Sequence, residues 1–202
     1  MRQLIVSMNV TLDGFLSGPH CEMDWHFRYW SADMGEALCR ELHKADTVLM
    51  GRVTYDVFRR FATQPQSVLA IQRDMYPFFD MLNRHQKVVF STTMQQPSWE
   101  KTELFQNGLL QRIRHLKMQP GKNIQLYGSA NLLRSLQKHQ LVDEYQLWVH
   151  PVILHCGKPL FQTRAEPELL LTGKPKTFSG GVVLCRYKVQ KAGTLNDAIT
   201  ND

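Results

Sequence analysis

The chain has 202 residues, the length of one ordinary domain, and its composition is 43 % hydrophobic and 21 % charged. These values are typical of globular proteins and exclude a chain that is disordered throughout. The formal net charge of +6 comes from basic residues that are mostly scattered singly, whereas nucleic-acid-binding proteins concentrate them in runs or stripes, so we expect no specific nucleic-acid partner.

The N-terminus and the cysteines indicate the cellular compartment of the protein. The apolar stretch near residues 4–6 is too short and interrupted for a signal peptide, and no run reaches the roughly 18 residues that a membrane span needs. The four cysteines lie far apart without a CxxC pair, so neither a disulfide framework nor a zinc knuckle is indicated. We therefore expect a cytoplasmic protein without a membrane segment.

Strand and helix patterns alternate along the first part of the chain. Residues 4–10 are predicted to form a buried strand, followed by an Asp-Gly turn. Residues 33–36 resemble a capping box, which opens a helix with an apolar face. A short apolar strand is predicted at residues 47–50, and a helix through residue 61 follows it.

The alternation continues through the middle of the chain. Residues 64–86 are predicted to form two short helices separated by Pro77, because apolar residues recur at helical spacing on both sides of it. A strand at residues 87–91 comes next. One apolar face predicts a helix near residues 109–116, and a strand at 123–127 follows it.

A further helix begins at residues 128–129, after which strands dominate. They are predicted at residues 144–149, 151–154, 169–171 and 182–189. This order predicts a three-layer α/β/α domain whose mixed sheet is mostly parallel, with antiparallel strands added at the end. We expect a single domain over residues 1–191 and a disordered tail over residues 192–202, where periodicity is lost.

Three of the predicted strands are followed directly by small, hydroxylated or basic residues. The carboxyl ends of parallel strands meet at one edge of a sheet, and helix N-termini at that edge attract phosphate. Each segment alone can also be structural, since glycine permits turns and serine caps helices. Together they predict a phosphate-binding site without a GxGxxG motif or a P-loop. The residues are Gly51, Arg52, Thr54, Ser91, Thr92, Gly128, Ser129, Ala130 and Asn131.

These motifs resemble those of the dihydrofolate-reductase-like superfamily. Residues 49–55, Leu-Met-Gly-Arg-Val-Thr-Tyr, are similar to the Met-Gly-Arg-Lys-Thr-Tyr motif of dihydrofolate reductases. Residues 11–14, Thr-Leu-Asp-Gly, resemble the start of the reductase domains of riboflavin biosynthesis, and residues 126–132 look like their glycine-rich pyrophosphate turn. Residues 141–145 and 157–161 match later signatures in family order, and the similarity is strongest to stand-alone bacterial relatives of the RibD C-terminal domain.

The resemblance implies a dihydrofolate-reductase-like fold and a reductase that uses NADPH. It implies hydride transfer to a small planar substrate of pyrimidine, pterin or quinone type, and a homodimer. Arg52 and Thr54 would contact the cofactor phosphates, and Ser91 and Thr92 would lie near the adenosine 2′-phosphate. Residues 128–131 would hold the pyrophosphate.

The resemblance also places the nicotinamide and the substrate. Backbone around Val10 would contact the nicotinamide amide. Trp25 and Trp30 are candidates to stack on the substrate, or else to pin their loop to the core. Asp13 is a substrate candidate as well, although closing a turn is the simpler role. Since Trp30 stands where dihydrofolate reductases carry a carboxylate, folate is not the expected substrate, and we assign no catalytic residue.

Two alternatives differ in kind from a reductase. An NADPH-binding regulatory protein without turnover would also carry the phosphate-binding turns. His150, His155 and Cys156 are candidate metal ligands, but zinc normally requires a fourth ligand and none lies nearby in the sequence. We therefore predict no metal.

Overall fold

The computed structural model describes residues 1–63, 73–161 and 168–190. The tail predicted over residues 192–202 lies outside these ranges, and the domain boundary at residue 191 stays a prediction. Within the described ranges the strands are β1 (Leu4–Thr11), β2 (Phe15–Ser17), β3 (Ala45–Gly51), β4 (Gln86–Phe90), β5 (Thr102–Phe105), β6 (Asn123–Leu126), β7 (Glu144–His150), β8 (Lys158–Pro159), β9 (Leu169–Leu171), β10 (Lys176–Thr177) and β11 (Val183–Val189).

Helices connect most of these strands. They are α1 (Ala32–His43), α2 (Arg52–Thr63), α3 (Tyr76–Arg84), α4 (Leu109–Met118) and α5 (Ala130–Lys138), with 3-10 turns at Asp24–Tyr29 and Arg73–Met75. None of the helices in the described ranges is both long enough and apolar enough to cross a bilayer.

The main sheet has the order β10-β11-β7-β1-β6-β3-β4-β5, and β9 pairs with β11. The six strands from β7 to β5 in this order are parallel to their neighbours. Strand β11 runs antiparallel to β7, and β9 and β10 run antiparallel to β11. The prediction of a mixed, mostly parallel sheet with antiparallel strands at the end is therefore confirmed. A small separate ribbon is formed by β2 and β8.

Two hydrophobic clusters cover the faces of the sheet. Because side chains alternate along a strand, Leu49 of β3 joins one cluster, whereas Val48 and Met50 join the other. Helices α4 and α5 pack on the first face, and α1, α2 and α3 pack on the second. The predicted three-layer α/β/α architecture is thus confirmed, and the short aliphatic runs are strands buried on both faces.

The strand predicted at residues 151–154 is wrong. The backbone N–H of Val152 donates to the carbonyl of His150 at 2.8 Å, which makes a tight bend after β7. The N–H of Leu154 donates to the Asp13 carboxylate at 3.0 Å. The N–H groups of Val152 and Leu154 therefore donate within the bend and to a side chain, and not to a neighbouring strand. The apolar composition of residues 151–154 was not sufficient to predict a strand.

Two predictions about helix starts are also wrong. Helix α1 has Ser31 as its N-cap, and Glu36 forms an exposed ion pair with Arg40 instead of completing a capping box. Pro77 does not separate two helices but lies in the first turn of α3, where its missing N–H costs no helical hydrogen bond. Of the first predicted helix, residues 64–72 lie outside the described ranges.

Strand β5 was not predicted from the sequence. It is a four-residue strand at the edge of the sheet, and none of its side chains is fully buried. It therefore lacks the aliphatic run that marks the central strands. It matters for the site, because its carboxyl end leads into the start of α4.

Glu41 joins helix α1 to the sheet. Its side chain, only 6 % exposed, accepts hydrogen bonds from Arg186 of β11 at 2.8 Å, from Gln146 of β7 at 2.9 Å and from Lys44 at 3.0 Å. Burial alone would raise the pKa of the Glu41 carboxyl, but the hydrogen bonds and charges of Lys44 and Arg186 outweigh burial and lower it.

We expect Glu41→Gln to lower the free energy of unfolding by about 2–3 kcal/mol near neutral pH, because buried charged partners lose their anion. Since the folded-state pKa of Glu41 is lowered, this contribution is present above the unfolded pKa, about 4.3, and is lost as the pH falls through the folded value. Urea unfolding measures the difference. Glu36→Gln on the same helix removes only an exposed ion pair and should lower the free energy of unfolding by less than about 0.5 kcal/mol. Equal losses in the two variants would contradict the stabilising role of the buried Glu41 carboxylate.

Candidate functional site

A cavity of about 960 Å³ opens at the carboxyl ends of the parallel strands. Its wall includes residues from β1, the end of β3, the end of β4 and the turn after β6, together with the starts of α2, α4 and α5. Its volume is at the upper end of the range for small-molecule sites, about 300–1,000 Å³. Ligands of open α/β sheets bind at this edge.

The structure brings the three predicted phosphate-binding segments together around this cavity. Nine of the ten predicted cofactor residues line it: Gly51, Arg52, Thr54, Ser91, Thr92, Gly128, Ser129, Ala130 and Asn131. The tenth, Val10, is buried in β1 at 4 % exposure and is not part of the wall, although its neighbours Met8 and Asn9 are.

The turns after β3 and β6 touch each other through their glycines. The N–H of Gly51 donates to the carbonyl of Gly128 at 2.9 Å. A β-carbon on Gly51 would lie 2.9 Å from Ser129 Oγ, and one on Gly128 would lie 2.6 Å from Thr54 Oγ1. Gly128 also has a φ of +133°, and its peptide bond to Ser129 is cis. A residue other than glycine at either position would therefore displace the Ser129 or Thr54 side chain, and at residue 128 it would also be strained by the positive φ.

Three helices point their N-termini at the cavity. Helix α2 begins at Arg52 and α4 begins at Leu109, and both residues line the wall. Helix α5 begins at Ala130, with Ser129 as N-cap accepting a hydrogen bond from the N–H of Leu132. First-turn N–H groups have no intrahelical partner and carry partial positive charge. The rim is therefore suited to anionic ligands.

Arg52 and Ser91 supply side-chain groups to this rim. The Arg52 guanidinium is 3.2 Å from the Asp56 carboxylate, but both side chains are about half-exposed, at 49 % and 47 %. Such an exposed pair contributes only about 0.3–0.5 kcal/mol, so a phosphate can compete for the guanidinium. Ser91 Oγ accepts hydrogen bonds from the N–H groups of Thr93 at 3.2 Å and Met94 at 3.0 Å. Ser91 Oγ also lies 3.4 Å from Thr93 Oγ1, so a ligand phosphate would compete with Thr93 for the Ser91 hydroxyl hydrogen.

Several cavity residues were missed from the sequence. Asn107 and Gly108 line the wall after the unpredicted strand β5, where their Asn-Gly pair is a recognisable turn signal. Arg134 and Ser135 line it from α5. They lie three and four residues after Asn131 and therefore on the same helix face, which is a signal that spacing alone could have supplied.

The inner part of the cavity is aromatic. Neighbouring rings have their centroids 5.2–6.2 Å apart and mostly meet edge to face. This geometry is favourable between aromatic side chains and forms a wall suited to a flat ring. The ring-bearing residues are Phe27, Phe58, Phe61, Phe78, Phe79 and Tyr127.

The two predicted stacking tryptophans have different surroundings. Trp30 lines the cavity and is 8 % exposed, and its Nε1 has no hydrogen-bond partner in the structure. Trp25 is not part of the wall; its ring packs edge-on against His150 with a centroid distance of 5.0 Å. Only Trp30 is therefore placed to contact a ligand directly.

Asp13 lies outside the cavity wall and fixes a loop. Its carboxylate accepts hydrogen bonds from Thr11 Oγ1 at 2.6 Å and from the N–H groups of Leu154 at 3.0 Å and His155 at 2.8 Å. The Thr11 hydrogen bond is the main cause that lowers the pKa of Asp13. The geometry matches the turn-closing role that we weighed against substrate binding.

His150 is fully buried behind the cavity wall. Its Nε2 is 3.0 Å from the Asn9 side-chain oxygen, and its Nδ1 has no partner in the structure. Burial lowers the pKa of His150 to about 3, and the neighbouring His26, with a ring centroid 6.3 Å away, adds to the shift. Burial also lowers the pKa of His26. His155 and Cys156 are exposed, and the described residues include no group of three His, Cys, Asp or Glu side chains placed to bind a metal.

We expect the buried His150 to make stability depend on pH. The pKa of His150 is about 6.5 in the unfolded chain and about 3 in the folded protein. As the pH falls, the unfolded chain therefore takes up a proton at His150 before the folded protein does, and the free energy of unfolding decreases between about pH 6.5 and pH 3. By pH 5 this loss amounts to about 2 kcal/mol. The difference in unfolding free energy between wild type and His150→Gln should narrow by that amount between pH 7 and pH 5, measured by urea unfolding.

The exposed His155 offers a matched control, since His155→Gln should follow the wild-type curve. Parallel pH curves for wild type and His150→Gln would show that His150 is not held neutral by burial.

The fold and the cavity define the class of protein as an α/β domain with a cavity at the carboxyl ends of its parallel strands. The sequence model of the RibD C-terminal domain matches residues 2–184, so the chain belongs to the RibD C-terminal domain family. A Bacillus subtilis (strain 168) relative, the uncharacterized protein YyaP, is 34 % identical over 187 residues, covering 92 % of this chain and 94 % of its own.

Solved structures share the fold. A candidate riboflavin biosynthesis protein from Shewanella sp. PV-4 superposes with a TM-score of 0.71 at 21 % identity, over 94 % of this chain and 99 % of its own. A pyrimidine reductase-like protein from Corynebacterium diphtheriae gives a TM-score of 0.62 at 14 % identity, over 94 % and 92 %. The predicted dihydrofolate-reductase-like fold and the resemblance to the RibD C-terminal domain are therefore confirmed, and membership of this family indicates an oxidoreductase.

Proposed function

We propose that the protein is an NADPH-dependent reductase that acts on a flat, pyrimidine-like substrate. The observation that carries the proposal is the division of one cavity into two parts. One part has helix N-termini, Arg52 and hydroxyl groups, and the other has an aromatic wall. The first suits a phosphorylated dinucleotide and the second suits a planar ring.

The residues at the rim fit NADPH. Arg52 and Thr54 would bind phosphate oxygens, and residues 128–131 would hold the pyrophosphate, because glycine at 128 lets backbone approach closely. Ser91 and Thr92 would lie near the adenosine 2′-phosphate, where an Arg with several hydroxyl donors favours NADPH over NADH. Met8 and Asn9 line the wall beside Val10, so the first strand would lie against the nicotinamide end of the cofactor.

The cofactor, when bound, supplies the hydride, and the protein supplies position and surroundings. The aromatic wall excludes water and aligns a flat substrate. His26 does not provide the proton at neutral pH. Its Nδ1 lies 2.7 Å from the carbonyl of Met23, and burial lowers its pKa, so the ring is neutral and donates there. We therefore assign no residue as the proton donor.

The comparisons support the reaction class. The family to which the chain belongs contains riboflavin-pathway reductases, and the Corynebacterium diphtheriae neighbour is described as pyrimidine reductase-like. A homodimer, a cytoplasmic location and a small-molecule substrate stay predictions of the resemblance.

We expect a fluorescence titration to show tighter binding of NADPH than of NADH. Arg52→Ala should weaken NADPH binding about tenfold to hundredfold, since a charge-assisted hydrogen bond contributes roughly 1.5–3 kcal/mol. Arg60→Ala, which removes an exposed arginine of the same helix outside the cavity wall, is the matched control and should leave the affinity unchanged. Equal affinities for NADPH and NADH, or no effect of Arg52→Ala, would refute the cofactor assignment.

Turnover separates a reductase from a binding protein. Loss of NADPH absorbance should accompany addition of a uracil derivative, a quinone or a pterin, with pyrimidine-like compounds reduced fastest. Tight NADPH binding without oxidation by any of the three classes would instead favour the NADPH-binding regulatory protein.

A further inference from the structure

Asn9 is the only residue of β1 that is not buried. The other seven residues of this strand are buried, and β1 lies in the interior of the sheet between β7 and β6. Asn9 also belongs to the cavity wall. The surface that Asn9 exposes therefore faces the ligand site, whereas its neighbours along the strand, Met8 and Val10, are buried.

One end of the Asn9 amide is fixed by the protein. Its Oδ1 lies 3.0 Å from Nε2 of His150, and because an amide oxygen can only accept, Nε2 carries the proton and donates. His150 is fully buried and neutral, so its Nδ1 carries no proton and is an acceptor without a partner. Leaving a buried acceptor unpaired costs less free energy than leaving a buried N–H unpaired. This hydrogen bond sets the rotation of the amide.

The other end of the amide has no acceptor. No residue in the described ranges accepts a hydrogen bond from Nδ2 of Asn9, so both of its N–H groups stay available at the cavity wall. A ligand that covers this amide without offering an acceptor leaves the donors desolvated and unpaired, which is unfavourable. The wall at Asn9 therefore selects for a ligand with an acceptor atom.

Charge near this point favours a neutral ligand. The 3-10 turn Asp24–Tyr29 packs its Trp25 and His26 rings beside His150, and Asp24 itself lines the cavity. Asp24 is close enough to His26 to act on it electrostatically, so its negative charge would repel an anionic acceptor such as a carboxylate or phosphate bound nearby but not a carbonyl oxygen.

Building on the proposed function, we propose that Asn9 determines substrate specificity by donating its amide hydrogen bond to a carbonyl oxygen of a neutral planar ring, with His150 as the positioning residue. A uracil-type edge presents that oxygen. A ring with an amino group in place of that carbonyl would point its N–H at the N–H of Asn9, and its binding is disfavoured. The site therefore discriminates between rings of the same shape by whether the ring offers a hydrogen-bond acceptor or a donor at this position.

The test uses two rings of the same shape, uracil and 2,4-diaminopyrimidine, and follows their binding by quenching of tryptophan fluorescence without NADPH. Wild type should bind uracil at least about tenfold more tightly. Asn9→Asp replaces the donor by an acceptor of the same shape and should reverse the preference. His150→Gln should reduce the preference without reversing it, which a merely structural role would not do.

Asn123→Asp makes the same chemical change at the start of β6, outside the cavity wall, and should keep the wild-type preference. Melting temperatures verify that each variant folds. If wild type does not prefer uracil, binds neither ring, or keeps its preference in Asn9→Asp, the inference is overturned. None of these results depends on NADPH, so they are distinct from failure of the cofactor titration that tests the proposed function.

Discussion

The contact between the turns after β3 and β6 is the constraint on which the site depends. These strands are neighbours in the sheet, and Gly51 and Gly128 let their turns meet through a backbone hydrogen bond of 2.9 Å. A side chain at either glycine would occupy the space of Thr54 or Ser129. Because the turns meet, the N-termini of α2 and α5 open into the same cavity, where one anionic ligand can reach the amides of both.

The positive character of the rim is local. The net charge of +6 is spread over the surface and steers anions only weakly at physiological salt. Helix N-termini, Arg52 and hydroxyl donors act within hydrogen-bond reach instead. Away from the rim, burial lowers the pKa of His150 and the Lys44 and Arg186 partners lower the pKa of Glu41, so the first is neutral and the second is ionised at neutral pH.

The central part of the fold could be predicted from the sequence because its signals are local. The runs at residues 48–50, 88–90 and 124–126 are mostly apolar and are buried on both faces, and each precedes a segment now found at the cavity. Strand β5 lacks such a run, so Asn107 beyond it was missed. Residues 151–154 have the composition of a strand, but the N–H of Val152 donates to the carbonyl of His150 and the N–H of Leu154 donates to the Asp13 carboxylate.

The substrate end could not be predicted in the same way. Asn9 and His150 are 141 residues apart, and nothing near either residue indicates that they share a hydrogen bond. Their contact follows from the parallel register of β1 and β7, which places Thr11 beside His150. The role of Asp13 was ambiguous for the same reason, since its partners lie on a distant loop.

A crystal structure of the protein with NADPH tests the central claim most directly. The account places the pyrophosphate against Gly128 and Ser129 and within reach of Arg52, and the 2′-phosphate within reach of Ser91, so that one dinucleotide contacts both turns. Density for the dinucleotide elsewhere on the molecule, or with its phosphates facing the aromatic wall, would contradict it.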